Sequence, residues 1–445
     1  MTKEISGWGL YPKIKTKTFS PESANQIIEY LDSSRKTNSI IARGMGRSYG
    51  DSALAQNIFD TTKLNHFISF DEKTGLLSCL AGVTLDDILK YLAPKGWFLP
   101  VTPGTKFITI GGAIASDVHG KNHHIDGCFS EFIKNIKLIL ATGEIINCSQ
   151  SENPEIFYAT CGGMGLTGII IETTLQLTPI KSTFIKQTII KTKNLRDTLE
   201  KLEENESYNY SAAWLDCING NNNLGRGIIL LGEHENKYSQ YALSNNLNPH
   251  NKSKLNIPFY FPDFVLNKYS MSIFNKLYYQ KSLKPSATYI THYDNFFYPL
   301  DKINNWNYIY GKQGFLQYQF VIPKDDNGIN NLFNILQYIK NYQQYPNLAV
   351  LKLFGNANNN YLSFPKLGYT LTLDFKISTN IFKFLNNLDK KILDYNGKVY
   401  LTKDARMSKT VFKESYANLD KFLKIKSQVD PDNLFRSMQF DRLFV

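Results

Sequence analysis

Two stretches of this chain gather the residue types needed to hold a phosphorylated ligand and to work on it. Residues 42–51 read ARGMGRSYGD. Gly44, Gly46 and Gly50 can take positive φ and let main-chain N–H groups converge on an anion, while Arg43 and Arg47 add charge. The pattern is neither GxGxxG opening a long helix nor GxxxxGK[ST], so Rossmann and P-loop sites lack their context. By itself the stretch reads equally well as an ordinary glycine-rich turn. The second stretch runs VTPGT at 101–105 and then GGAIASDVHGKNHH at 111–124, with His119, His123 and His124 among the chain's seven histidines. A metal site is one alternative, but only Asp117 and Asp126 stand close and HExxH spacing is absent. Another is that the histidines fasten turns. The polar, glycine-flanked setting fits better with wrapping a large cofactor and presenting a protonatable group beside it.

The surrounding periodicities show what must position these stretches. A helix is expected over residues 21–33, with Ser20 as N-cap and Pro21 at the first helical position. A strand over 39–42 then runs into the first glycine turn. Extended segments follow at 76–81 and 98–101, and a helix at 84–92. A third glycine cluster, GGMGLTG at 162–168, leads into the β-branched strand 169–174. Beyond Pro179 the chain turns rich in Asn, Tyr and Lys. Helices are expected at 195–202 and 329–342, strands at 315–322, 349–354 and 369–377, and loops at Asn219–Asn223 and Asn356–Asn360. That alternation reads as an α+β domain with an antiparallel sheet. The expected division is 1–182, 183–397, and a segment 398–445 returning to the first domain.

Composition narrows the function classes. At roughly 150 residues per domain, 445 residues make two or three domains. Lys and Arg exceed Asp and Glu by 11, and aromatic residues reach 13%, so the surface favours anionic partners. Nucleic acid is a poor candidate, because the basic residues are scattered and no zinc-finger, RNP or helix-turn-helix pattern occurs. The five cysteines form no CxxC pair and read as buried reduced thiols. No leader-like N-terminus and no apolar run of about 18 residues is visible, which reads as a cytoplasmic protein.

Together, the pyrophosphate-type loop, PGT followed by GGAIASD, and GGMGLTG before a strand resemble the vanillyl-alcohol-oxidase/PCMH superfamily of FAD-dependent oxidoreductases. ARGMGRSYGDSA, HGKNHH, GFLQYQFVIP (314–323), LKLFG (351–355) and LTKDAR (401–406) narrow the resemblance to the decaprenylphosphoryl-β-D-ribose 2′-oxidase family, from about Gly7 to the C-terminus. The resemblance implies a two-domain α+β fold, an FAD-binding domain plus an antiparallel-sheet substrate domain. It implies hydride transfer from the 2′-hydroxyl carbon of a polyprenyl-phosphoryl ribose, with a short-chain reductase completing the epimerisation.

By the same resemblance, Ala42, Arg43, Gly44, Met45, Gly46, Arg47, Ser48, Tyr49, Gly50, Asp51 and Ser52 would hold the FAD pyrophosphate. Gly104, Thr109, Ile110, Gly111 and Gly112 would run along the dinucleotide, and Ile170 would meet the adenine side. Ser116, Asp117, Val118 and His119 would lie near the flavin. Tyr400 and Lys403 would return to the flavin beside the substrate, so His119, Tyr400 and Lys403 are the catalytic candidates. Gln317 and Gln319, on one face of a strand, would line the sugar site with Lys352 and Lys403. From the residues alone, the glutamines also read as a solvated strand face, Lys403 as a surface lysine and Tyr400 as core packing.

Related alditol and aldonolactone oxidases commonly carry a histidine for a covalent flavin link where this chain has Arg47, so non-covalent FAD is expected. Two departures stand out. Family members carry a cysteine where this chain has Thr372, and Phe297 stands where a tyrosine contact is expected. Metal is not expected. A lipid-linked substrate would be met at a membrane surface, for which the net charge of +11 is suited.

Overall fold

The glycine loops lie at the ends of short, buried strands, and those strands decide where the loops point. A computed structural model describes residues 2–34, 39–218, 223–235, 255–281 and 284–445. One sheet has the strand order Thr2–Ser6, Lys13–Phe19, Asn57–Asp60, Ile40–Arg43, antiparallel at the first pair and parallel beyond it. A second, antiparallel sheet has the order Phe67–Asp71, Leu76–Leu80, Ile169–Gln176, Ile133–Ile139, Ile145–Cys148. The helix Ala24–Ser34 joins them by laying Ile27 and Leu31 against Ile40, Phe59, Ile139 and Ile169. It starts later than expected. Ser23, which accepts from Gln26 N at 3.4 Å, takes the capping role expected of Ser20.

The remainder builds one eight-stranded antiparallel sheet: Ser286–His292, Phe184–Thr192, Arg226–His234, Tyr210–Asp216, Leu348–Phe354, Gly368–Lys376, Phe315–Pro323 and Lys398–Val399. Its two faces differ because side chains alternate along each strand. Leu316, Tyr318 and Phe320 point to the helix side, where Tyr318 Oη donates to Asp389 of the helix Ile381–Asp394 at 2.8 Å. Tyr369, on the same face, donates to Glu203 of the helix Leu195–Glu204. Gln317, Gln319, Thr370, Thr372, Asp374 and Lys352 occupy the opposite face, in register with one another.

The chain is thus mixed α and β, with an N-terminal pair of sheets and a separate antiparallel sheet. Lys398–Val399 pairs with Phe320 and Val321. The segment expected to return to the first half from residue 398 therefore begins as the edge strand of the large sheet and crosses only afterwards. Residues 356–360 are irregular as expected, whereas Asn219–Asn222 lie outside the described residues. The five cysteines are buried and unpaired. Among the described residues no helix is long and apolar enough to cross a membrane.

Candidate active site

The loop after Ile40–Arg43 is held open by close approaches that only glycine allows. A Cβ on Gly44 would sit 2.1 Å from Thr109 Oγ1, and one on Gly50 would sit 1.8 Å from the Asp404 carbonyl oxygen. Gly46 takes φ +62°. The first glycine loop is thereby pressed against the second at Thr109 and against the C-terminal segment at Asp404. Among the described residues the main-chain N–H groups of residues 45–48 meet no protein acceptor, whereas Tyr49 N donates to Thr402 O at 3.1 Å. Successive unpaired N–H groups of this kind form an anion-binding concavity. Arg47 stacks its guanidinium on the Trp8 ring at 3.8 Å and lines a cavity with Trp8, Phe107 and Asp301.

Thr109 caps the short helix Ile110–Ala115 by accepting from Gly112 N at 3.2 Å. Gly104 has nothing within 4 Å of where a Cβ would stand, so it borders open space. After the helix, Asp117 adopts φ +39° and buries its carboxylate, which accepts from Asn358 and Asn360, each at 2.7 Å, and from Ser130 N at 3.2 Å. That network fixes the turn 116–119 and aims His119 at the large sheet. Gln319 Nε2 lies 2.9 Å from His119 Nε2 and also donates to Thr370 Oγ1 at 3.1 Å. With the amide nitrogen donating, the ring proton belongs on Nδ1. Nδ1 is buried and has no partner among the described residues. Burial, with the nearby cations Lys352 and Lys403, holds His119 well below the usual histidine range, so it is neutral. Val118 is buried and gives its main chain to Ala113 and Phe129.

The C-terminal segment closes the site. Tyr400 stacks on Phe364 at 4.6 Å and donates from Oη to Ser116 O at 2.7 Å, joining residues 284 positions apart. Lys403 follows three residues later, its ammonium 4.1 Å from the centre of the Tyr49 ring. Gln317 donates to Asp374 at 2.7 Å, and Tyr310 Oη donates to the same carboxylate at 3.2 Å. Lys403, Lys352 and Lys121 lie deep in the molecule yet keep access to solvent. Burial pulls their ammonium groups down to about 7, about 8 and about 7 respectively. Burial likewise pushes Asp374 up to about 6.

Asp374 and Lys121 were not singled out from the sequence. Asp374 stands in a strand that reads as apolar. The available signal was its place two residues from Thr372 and four from Thr370, one polar face of a period-two pattern. The Asp374 charge opposes the fall in the Lys403 pKa. Asp374→Asn keeps the oxygen that accepts from Gln317 but removes that charge, so Lys403 loses its proton at lower pH. With Lys403 as the proton acceptor, the acidic limb of the pH–rate profile is expected near the lysine's lowered pKa of about 7 in the parent and at lower pH in this variant; a stopped-flow pH series checks it.

Several expected contacts are redirected. Asp51 is ion-paired with Arg442 at 2.8 Å, so only its main chain is left for a cofactor. Arg43 donates to Ser6 O and Ala53 O, fastening the loop and not facing a ligand. Asp117 is likewise taken up by the two asparagines. Ile170 lies at the start of its strand, opposite Leu138. Phe297, the departure from an expected tyrosine, is 2% exposed and packs on Phe98 and Tyr210 as a core residue. Thr372 is half-buried on the polar face, directly opposite Gln319. His123 accepts from Gly355 N at 3.1 Å and His124 lies 2.9 Å from Tyr208 O, so both fasten loops.

A family model described as FAD binding domain matches residues 17–149, and one described as D-arabinono-1,4-lactone oxidase matches 367–443. The decaprenylphosphoryl-beta-D-ribose oxidase of Mycolicibacterium smegmatis is 35% identical over 457 residues, covering 99% of this chain and 97% of that protein. The chain belongs to the decaprenylphosphoryl-β-D-ribose oxidase family. A putative D-arabinono-1,4-lactone oxidase of Neurospora crassa is 29% identical but covers 43% of the chain and 35% of its own length. The L-gulonolactone oxidase of Bos taurus is 30% identical over 36% of the chain and 37% of its own length.

FAD is the cofactor of this oxidase-family chain, and the residues present fit it. The unpaired N–H groups of residues 45–48 match a pyrophosphate, and the buried Nδ1 of His119 is a donor that a bound group must satisfy. Arg47 cannot form the covalent link that a histidine could make at that position. Acid precipitation of the holoprotein is therefore expected to leave all flavin in the supernatant; yellow colour retained in the washed pellet contradicts this.

Proposed function

We propose that this chain oxidises the 2′-hydroxyl of a polyprenyl-phosphoryl-β-D-ribose to the ketone, the first half of an epimerisation to the arabino sugar. One observation carries the reading. The oxidase of M. smegmatis aligns over 99% of the chain, the large sheet included, while the N. crassa and Candida glabrata arabinonolactone oxidases align over 43% and 44%.

FAD, when bound, supplies the two-electron oxidant for the carbon–hydrogen bond of the alcohol. The remaining tasks fall to side chains. Lys403, as the free amine it becomes above about pH 7, takes the hydroxyl proton onto Nζ. Gln317 and Gln319 hydrogen-bond the ring hydroxyls from one strand face. Lys352 and Lys121 meet the phosphodiester. An anion beside them offsets their desolvation and restores their positive charge. Residues 42–52 hold the FAD pyrophosphate, chiefly through the main chain at 45–48. Gly104 and Thr109–Gly112 flank the dinucleotide, Ile170 its adenine side, and Ser116–His119 with Tyr400 its flavin.

The division 1–182, 183–397 and 398–445 belongs to the same proposal, as does a short-chain reductase that consumes the ketone. So does a cytoplasmic enzyme meeting its lipid-linked substrate at the bilayer, where a net charge of +11 favours the encounter. The match of residues 367–443 favours a second reading, oxidation of a free aldonolactone. Such a neutral substrate leaves Lys121 and Lys352 without a counter-charge. Turnover of decaprenyl-phosphoryl ribose with a dye acceptor, followed by borodeuteride trapping, separates the two: deuterium at C2′ is expected. Absence of label, or label at another carbon, overturns the proposal.

A further inference from the structure

The helix Lys268–Lys281 turns an apolar face outward. Tyr269, Ile273 and Leu277, at i, i+4 and i+8, are 78%, 62% and 62% exposed, and Phe274 beside them is 52% exposed. A surface helix ordinarily buries such a stripe. Here the inner face is already occupied: Met271 and Asn275 are buried, Asn275 donates to Asp216 at 2.9 Å, and Tyr278 packs edge-on against Trp214 at 4.8 Å. The outward stripe is therefore a second apolar face, of the kind that marks an interaction surface. Phe264, 76% exposed just before the helix, extends it.

Charge identifies the occupant. From residue 264 to residue 293 there is no acidic side chain, while Lys268, Lys276, Lys281 and Lys284 fall within that span. Asp263, at its border, is neutralised by Lys376 at 3.0 Å. An exposed apolar stripe in a segment that itself carries lysines and no carboxylate, with the buried Asp216 beneath it paired to Arg226 at 2.8 Å, matches the interface of an anionic bilayer, apolar side chains in the acyl boundary and ammonium groups among the headgroups. The position agrees. Trp214, under the helix, pairs in register with Val350, Val350 with Thr372 and Thr372 with Gln319, one cross-strand row on one face of the sheet. The helix thus lies at the far end of the row that leads to the sugar-site glutamine.

We infer that Lys268–Lys281 is an interfacial helix that docks the enzyme on an anionic membrane surface, at the far end of the strand row that leads to the sugar-site glutamine. The inference rests on the proposed lipid-linked substrate for its purpose, but the docking is measured without substrate, so either can fail alone. The full-length FAD-loaded protein is floated with vesicles of phosphatidylglycerol and phosphatidylcholine in equal parts, at low salt. Ile273→Glu/Leu277→Glu is expected to lower the floating fraction at least tenfold while keeping its flavin and its turnover of a short-prenyl, water-soluble substrate. Ile68→Glu, at a 51% exposed apolar residue on the Phe67–Asp71 strand, is expected to float like the parent. Ile273→Trp is expected to shift its emission to the blue with these vesicles and not with pure phosphatidylcholine. The inference is overturned if the parent does not float, if the double variant floats equally, if pure phosphatidylcholine binds as well, or if the parent is a dimer that the double variant dissociates.

Discussion

Lys403→Ala is expected to lower kcat/KM for the lipid-linked sugar by about 10²- to 10⁴-fold, the range for removing a positioned proton-transfer group, while the protein keeps its FAD. The lysine stands on Tyr49, which belongs to the glycine loop, and three residues beyond Tyr400, whose hydroxyl is fixed to Ser116. Among the described residues its ammonium makes no hydrogen bond to a carboxylate, and Asp374, which loses a nearby cation, keeps its bonds from Gln317 and Tyr310, so the fold is expected to hold. A pH series adds a readout that a packing role would not move. The parent's activity is expected to rise as Lys403 loses its proton through about 7, and the residual activity of the alanine variant is expected to lack that limb. Primary amines added in solution should restore part of the alanine variant's rate. Near-parental kinetics in Lys403→Ala would remove the lysine from the site.

Arg442→Leu is expected to destabilise the protein by about 3–5 kcal/mol, the range for stranding a buried ion-pair partner. Arg442 reaches Asp51 at 2.8 Å and Asp404 at 2.9 Å, and those carboxylates are nearly inaccessible to water. Without the guanidinium Asp51 remains buried without its cation, and Asp404 keeps only the more distant Arg406 as a cation. The sign with pH follows. Burial raises the folded-state pKa of Asp51 even beside the arginine and raises it further without it, whereas Asp404 keeps Arg406 and two main-chain N–H donors. The deficit is therefore full at neutral pH and shrinks as pH falls and the carboxyls protonate. Urea unfolding across a pH series measures it, and Asp51→Asn combined with Arg442→Leu should recover part of the loss. A variant as stable as the parent at neutral pH would show that the pair contributes nothing.

These two residues also show what can be read from a sequence and what cannot. The loops at 42–51 and 109–112 were legible because a backbone so close to Thr109 that a Cβ on Gly44 would sit 2.1 Å from its Oγ1 admits only glycine, and such spacing survives in one dimension. Gln317 and Gln319 were legible because a period of two puts them on one face. Asp51 looked like part of the phosphate loop because its partner lies 391 positions away at Arg442, and nothing local marks that pairing. Asp374 was hidden in an apolar strand, and its meaning comes only from Gln317 across the ladder and from Lys403 nearby. Phe297 was marked as a departure where a tyrosine contact is expected; an aromatic flanked by aromatics is settled by packing, and here it lies in the core. The strand Lys398–Val399 carries too few residues to show any period at all.

The central claim is that the polar face of the large sheet and the glycine loops together hold a lipid-linked ribose against FAD. Anaerobic mixing of the yellow holoprotein with a polyprenyl-phosphoryl-β-D-ribose tests it most directly, with D-arabinono-1,4-lactone mixed in parallel. The account predicts that the lipid-linked ribose bleaches the flavin absorbance within one turnover and that the lactone leaves it unchanged. Bleaching by the lactone alone, or by neither, would contradict it.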